Sequence, residues 1–261
     1  MRSLPFHRAT AEGLPASFNA LACMSDLQGR EYLSGTFRGS ERLLGETVAE
    51  KLLSMISVKE IPALDALLVA GDLYDYPDCR KPGGTGDISD ALHALSAVTP
   101  DTLCVLGNHD ILSSPESLPA GIQILDGQTV TLRSGLRVGG VSGIIGDPKR
   151  HNRRSEPDFL EIMETVTRRN PDFLLLHQGP EDIHNQRLGD PAVALSLETG
   201  FRGLTIFGHT HWPRDFLIDL GDGQAVNVDS PGNSHNTVRS MTTGNPAATS
   251  GKSPPRVAGL Y

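Results

Sequence analysis

A chain of 261 residues, 38% apolar and 21% charged, can bury one ordinary core and is too mixed for wholesale disorder. Its 31 acids against 23 bases leave a formal charge of −8 at pH 7, which excludes holding a polyanion by bulk charge. An anionic substrate stays compatible with that sign where a bound cation inverts the charge inside one pocket.

Residues 1–17 show no hydrophobic periodicity and read as an N-terminal extension. They lack the unbroken apolar core of a signal peptide, and no later run approaches the ~20 apolar residues of a membrane span. Cys23, Cys79 and Cys104 are odd in number and scattered, so no disulfide framework is expected and the setting reads as cytoplasmic. The apolar run 18–25 reads as a buried strand. Residues 41–57 follow with Leu44, Val48, Leu52 and Met55 at helical spacing behind a cap at Ser40.

Strand-like runs then recur at 64–70, 102–106, 129–132, 137–145, 173–176, 203–207, 216–220 and 225–228, with helical patterns at 87–98, 156–167 and 192–199. Several strands follow one another without a helix between them, which predicts hairpins and mixed sheets. Helices must then cover the outer faces of stacked sheets. The expected fold class is α/β, a four-layer sandwich of two mixed β-sheets packed together and flanked by helices, in one domain over 18–240. The stretch 241–261, rich in Gly, Pro, Ser and Thr, is expected to be a flexible tail.

Polar residues collect where the strand-like runs stop. In order they are Ser25-Asp26-Leu27-Gln28, Gly71-Asp72-Leu73-Tyr74-Asp75, Gly107-Asn108-His109-Asp110, His177-Gln178 and Gly208-His209-Thr210-His211. The carboxyl ends of strands in open α/β sheets converge on one crevice, so residues distant in sequence can share a site. Carboxylates, carboxamides and imidazoles together are a donor mixture that divalent transition metals accept. Taken singly, Asp26, Asp72 and Asn108 read as turn residues and His177 as a buried core histidine. Their joint occurrence favours a metal site.

In this order the groups resemble the calcineurin-like metallophosphoesterase superfamily, whose pattern runs D-x-H, G-D, G-N-H-[DE], H and G-H-x-H. The resemblance covers residues 18–232. It implies a dinuclear site in which Asp72 bridges both metals, Asp26 and His211 hold the first, and Asn108, His177 and His209 hold the second. It further implies that a metal-bridging hydroxide attacks the phosphorus of a phosphoester, with His109 assisting the leaving group and Asp110 orienting the His109 ring. The implied cofactors are two divalent ions, Mn first, with Mg, Fe and Zn as alternatives. The implied partner is a phosphorylated small molecule or nucleotide as substrate, and neither nucleic acid nor membrane is indicated.

One position departs from that pattern. Gln28 stands where the superfamily has the histidine of D-x-H. A carboxamide oxygen is a weaker, harder donor than an imidazole nitrogen, so the first metal should bind less tightly and favour Mn or Mg. Two readings stay open, an active Mn enzyme with Gln28 as a ligand and a crippled first site. A similar D-x-Q occurs in the superfamily's Mn-dependent ADP-ribose and CDP-alcohol diphosphatases. That tilts the expected substrate toward a phosphodiester or a nucleotide diphosphate. The alternatives are a phosphomonoesterase or protein phosphatase of the same fold, and a catalytically weak binding module on this scaffold.

Outside the motifs, Lys149-Arg150-His151-Asn152-Arg153-Arg154 is a basic run in an acidic chain. It reads either as a solvated loop or as a lip whose Arg153 and Arg154 clamp a phosphate. Tyr74, Tyr76 and Trp212 either stack on a base or sugar or serve packing. Lys81 to Gly86 lacks the spacing of a phosphate-binding loop. His7, His93, His151, His184 and His235 read as surface or packing residues. A metallo-β-lactamase would need H-x-H-x-D-H, which is absent, and an amidohydrolase usually begins with its H-x-H, which here arrives only at 209 and 211.

Overall fold

The computed structural model describes residues 6–31, 42–78, 84–212, 216–229, 237–243 and 253–260. The strand Ala20–Ser25 is buried along its whole length, because both of its faces are covered. Ala20, Ala22 and Met24 face one apolar cluster, and Leu21 and Cys23 face another. This alternation is the period of two expected of a strand with two packed faces. The first cluster joins the sheet to helices α1 (Leu44–Ser57) and α2 (Ser89–Ser96) through Val48, Leu52, Met55, Leu92 and Leu95. A Cβ at Gly45 would lie 2.9 Å from the Cβ of Ala91, which fixes how closely the two helices approach.

The second cluster lies between two sheets, where Leu68 and Leu103 of the first meet Val138, Phe173, Leu175, Leu204 and Ile206 of the second. A third cluster packs the outer face of the second sheet, with Leu174, Leu176 and Phe207, against α3 (Glu156–Thr167) and α4 (Pro191–Gly200). Asp190 caps α4 by accepting from the N–H groups of Ala192 and Val193 at 2.9 and 3.0 Å, with Pro191 in the first turn. The result is the expected four-layer α/β sandwich.

The first sheet has seven strands in the order Arg256–Leu260, Phe6–Glu12, Thr237–Thr243, Ala20–Ser25, Ala66–Val69, Thr102–Cys104 and Ile122–Ile124. The second has six, in the order Leu217–Leu220, Gly223–Asn227, Leu204–Gly208, Phe173–Gln178, Arg137–Val141 and Thr129–Thr131. Both are mixed. The central strands are parallel, pairing Leu21 with Ala66 and Leu67 with Thr102 in one sheet and Phe173 with Leu204 in the other.

The ends differ from the expectation of an unpacked extension and a flexible tail. Phe6–Glu12 pairs in parallel with Thr237–Thr243 and antiparallel with Arg256–Leu260, so both termini contribute strands to the first sheet. Their apolar signal is faint because the buried positions are mostly small, Ala9 and Ala11 with Val257. Helix α1 starts at Leu44, where the Glu46 carboxylate accepts from the Leu43 N–H at 2.7 Å. The expected cap at Ser40 lies outside the described residues, as do Cys79, Lys81 to Gly83 and His235. Cys23 and Cys104 are both buried. Among the described residues, no helix is long and apolar enough to cross a membrane.

Candidate metal centre

Five strand ends meet at one edge of the interface between the sheets. Ala20–Ser25 leads into Asp26, Ala66–Val69 into Asp72, and Thr102–Cys104 into Asn108 and His109, while Phe173–Gln178 carries His177 and Leu204–Gly208 leads into His209. Asp26, Asp72 and His209 all take left-handed backbone, with φ of 51°, 55° and 67°. Each such residue costs of order 1–3 kcal/mol and persists only where its surroundings hold it. Here the holding bonds are visible. The Asp26 N–H donates to the Gly71 carbonyl at 2.9 Å, and the His209 N–H to Asp26 Oδ2 at 2.9 Å. The Ser25 hydroxyl also donates to Asp26 Oδ2. A Cβ at Gly71 (φ 87°) would sit 2.9 Å from His177 Nδ1, so only glycine lets this turn approach the imidazole.

One donor atom each from Asp72, His177 and His209 lies within 4.8 Å of the other two. His177 is fully buried, and its Nδ1 donates to the Ala70 carbonyl at 2.7 Å. That bond fixes the ring and turns Nε2 toward Asp72 Oδ2, 3.3 Å away. Asn108 Oδ1 is buried without a hydrogen-bond partner among the described residues. A buried carbonyl oxygen left unmet costs about 1–3 kcal/mol. A carboxylate and two imidazoles this close together fit a divalent cation. Gln28 also reaches this group, donating from Nε2 to Asp72 Oδ2 at 3.1 Å. His211 is exposed and lies outside the group of three.

The electrostatics are those of a site built for extra positive charge. Burial pushes the Asp26 carboxyl up to about 6, aided by the neighbouring Asp72 charge. Burial also opposes a charged His177, but Asp72 and Asp26 outweigh it and raise this imidazole to about 10. Burial likewise opposes a charged Asp72, yet His177 and His109 hold it below the usual carboxylate range. His209 is pushed down to about 3, by burial first and by the charge of His177 second.

The expected pairing of Asp110 with the His109 ring is not what the structure contains. Asp110 is buried and accepts from the backbone N–H groups of Asp72, Leu73 and Gly107 at 2.7, 2.8 and 2.9 Å. Its carboxylate ties two turns together, and three fixed donors outcompete one mobile ring. Burial pushes it up to about 6, with the Asp72 charge adding to the shift. The His109 ring instead meets the Thr85 hydroxyl, 3.3 Å from Nδ1, and its charge acts on Asp72.

The basic run divides. Arg154 donates to the Ser142 carbonyl and pairs with Asp126 at 2.5 Å, contacts that hold it to its own half of the fold. Arg153 has no hydrogen bond or ion pair among the described residues, and its charge acts on His209. Asn152 and His151 hold the carbonyls of the Gly107–Asp110 turn, a role their composition does not announce. Tyr74 is taken up in packing, with the Arg30 guanidinium 5.4 Å over its ring and Gly86 against it. Tyr76 meets it edge-on and is exposed. Trp212 is fully buried and donates to the Leu188 carbonyl at 2.8 Å, so it covers the histidine turn.

The calcineurin-like phosphoesterase family model matches residues 20–213. Among solved structures, TT1561 of Thermus thermophilus is similar at 17% identity, with a TM-score of 0.56 over 81% of this chain and 89% of that one. A phosphopantetheinyl hydrolase from Mycobacterium tuberculosis aligns at 15% identity over 83% and 91%, with a TM-score of 0.47. A dimetal phosphatase from Danio rerio aligns at 13% identity over 80% and 87%, with a TM-score of 0.45. Among curated proteins, none matches the sequence. The family match spans most of the chain and every strand end that carries the metal-binding residue types, so the protein belongs to the calcineurin-like phosphoesterases, which are metal-dependent phosphoester hydrolases binding two divalent ions.

Proposed function

We propose that the protein hydrolyses a phosphodiester or a nucleotide diphosphate at a pair of divalent cations, Mn before Mg, Fe or Zn. The observation that carries the reading is the cluster of Asp72, His177 and His209, with one metal-donor atom from each within 4.8 Å of the other two. Asp26, Gln28 and His211 would hold the first ion, Asn108, His177 and His209 the second, and Asp72 both. With its amide turned over from the Nε2 bond to Asp72, Gln28 would supply a hard oxygen, which favours Mn or Mg. When bound, the ions supply an acidified water and neutralise charge on the phosphoryl oxygens.

The chain's own residues do the rest. The His109 N–H is held by Asp72 Oδ1 at 2.9 Å and its Nδ1 faces Thr85, which leaves Nε2 to protonate the leaving oxygen. Such an acid contributes about 10²–10⁴-fold. The unpaired guanidinium of Arg153 binds the phosphoryl oxygens as a two-pronged donor. The D-x-Q sequence at Asp26 to Gln28, shared with the superfamily's diphosphatases, supports the substrate class.

The test is hydrolysis of bis-p-nitrophenyl phosphate and of a panel of nucleotide diphosphates, cyclic nucleotides and phosphomonoesters with Mn²⁺ added, beside an Asp72→Asn control. Turnover of diesters or diphosphates that vanishes in the control is expected. Turnover of monoesters alone would overturn the substrate class, and no turnover with any common divalent ion would overturn the reading.

A further inference from the structure

We infer that Asn152, assisted by His151, is a positioning residue that sets the spacing between Asn108 and His177, the ligands proposed for the second ion. The inference rests on the reading above only in naming those two residues as ligands.

The argument starts from the Gly107–Asp110 turn. The carboxamide of Asn152 spends both hydrogens on it, donating from Nδ2 to the Gly107 carbonyl at 2.7 Å and to the Asp110 carbonyl at 2.9 Å. The Asp110 carbonyl also accepts from His151 Nε2 at 2.8 Å, so both of its lone pairs are taken. A carbonyl can only accept, so His151 must carry its proton on Nε2. The first and last carbonyls of the turn are thus gripped from outside, and Asn108 and His109 lie between them. From the other side, the Asp110 carboxylate holds the Gly107 N–H. The turn is fixed through both kinds of backbone group.

What does the gripping comes from the other half of the sandwich. Arg153–Arg154 pairs in parallel with Ile144–Ile145. The Ile145 N–H donates to Gln178 Oε1 at 2.6 Å, one residue beyond His177. A short path therefore runs from Asn108 through its turn to Asn152, along this two-stranded ladder, and through Gln178 to His177. Asn108 follows a strand of the first sheet and His177 lies in a strand of the second; the His177–Ala70 bond ties the two halves together, and this path adds a tie that reaches the Asn108 turn itself.

Asn152 itself takes left-handed backbone, at φ 48°, and its carbonyl accepts from the Ile144 N–H at 3.0 Å. A Cβ at Gly143, which has φ 81°, would lie only 2.4 Å from that carbonyl oxygen. The Gly143 N–H in turn donates to the Leu106 carbonyl at 2.7 Å, just before the turn. Left-handed backbone at a non-glycine residue is costly, and Asn and Asp are the residue types that best tolerate it. The side chain at 152 is therefore constrained twice, by its backbone and by the two acceptors it must reach.

The test uses Asn152→Asp and Asn152→Gly. The first keeps the left-handed backbone but turns a carboxylate on two carbonyl oxygens. The second keeps the backbone and deletes the donor. Mn²⁺ binding to the metal-free protein is titrated calorimetrically, and kcat and KM are measured on the substrate that the parent turns over. Groups that orient metal ligands typically change affinity about 10–100-fold. Both variants are expected to bind the second Mn²⁺ weaker by that factor, with kcat lowered at limiting metal, recovering as Mn²⁺ is raised, and KM little changed. Two Mn²⁺ bound at parental affinity in both variants would overturn the inference. So would a fall in melting temperature with Mn²⁺ affinity and kcat per folded molecule unchanged, the signature of a merely structural contact. A parent that binds Mn²⁺ but hydrolyses nothing would sink the proposed activity and leave this titration intact.

Discussion

The backbone N–H of His109 donates to Oδ1 of Asp72 at 2.9 Å, so the residue proposed to protonate the leaving group and the carboxylate proposed to bridge the ions are held in one unit. A Cβ at Gly107 would strike the Asp72 side chain, which is why the residue before Asn108 must be glycine. The proposed acid is thus positioned through Asp72, and Asp110 takes no part in holding its ring.

It follows that His109→Asn should leave metal binding intact and cut kcat by about 10²–10⁴-fold, the range of a single general acid. The loss should shrink for a substrate with an acidic leaving group such as p-nitrophenolate, which needs little protonation. Parallel assays of p-nitrophenyl and alkyl phosphodiesters check this, and equal losses on both would remove His109 as the acid.

Metal uptake should release protons, because a ligand imidazole must be neutral. His177 is raised to about 10 and is protonated in the metal-free protein at pH 7.5, whereas His209, lowered to about 3, is already neutral. Filling the site at pH 7.5 should therefore eject about one proton, and affinity should rise with pH up to about 10. The same shift acts on the metal-free fold. A histidine raised above 6.5 contributes stability that is complete below 6.5 and is lost as pH climbs through about 10. Calorimetry in buffers of different ionisation enthalpy reads the proton count, and an enthalpy independent of buffer would contradict it.

The two adjacent arginines should separate cleanly. Arg153→Ala should raise KM about 10–100-fold with little effect on melting temperature, since a charge-assisted contact is worth roughly 1.5–3 kcal/mol. Arg154→Ala should lower the melting temperature and leave KM alone, because its partners are Ser142 and Asp126. Steady-state kinetics at low salt beside thermal melts decides between them.

Asp110→Asn keeps the size of the side chain but places an amide hydrogen against backbone N–H groups. Stability should fall by roughly 1–3 kcal/mol for each N–H left unmet. The pH profile of kcat should keep its parental shape, because the Asp110 carboxylate does not touch the His109 ring. Chemical denaturation and a pH–rate profile check both halves, and a shifted acid limb would restore Asp110 as the partner of His109.

Much of the site is legible in the sequence, and the reason is physical. Asp26, Asp72, Asn108, His177 and His209 each follow or end an apolar run, and such runs are what a doubly covered strand must look like. The strand termini at Phe6–Glu12 and Arg256–Leu260 escaped that reading because they bury alanines and one valine, and their order comes from backbone pairing. The role of Asp110 was misread from its place beside His109, since adjacent residues in a turn need not face the same group. Asn152 and His151 carry no signal at all. The bonds they make cross 41 to 45 residues and end on backbone carbonyls, which have no residue type to recognise.

The most direct test is anomalous diffraction at the manganese edge from crystals of the protein soaked in Mn²⁺, with Asp72→Asn alongside. Two peaks about 3.5–4 Å apart flanking the Asp72 carboxylate are expected, with at least one lost in the variant. A map without an ion beside Asp72, His177 and His209 would contradict the account.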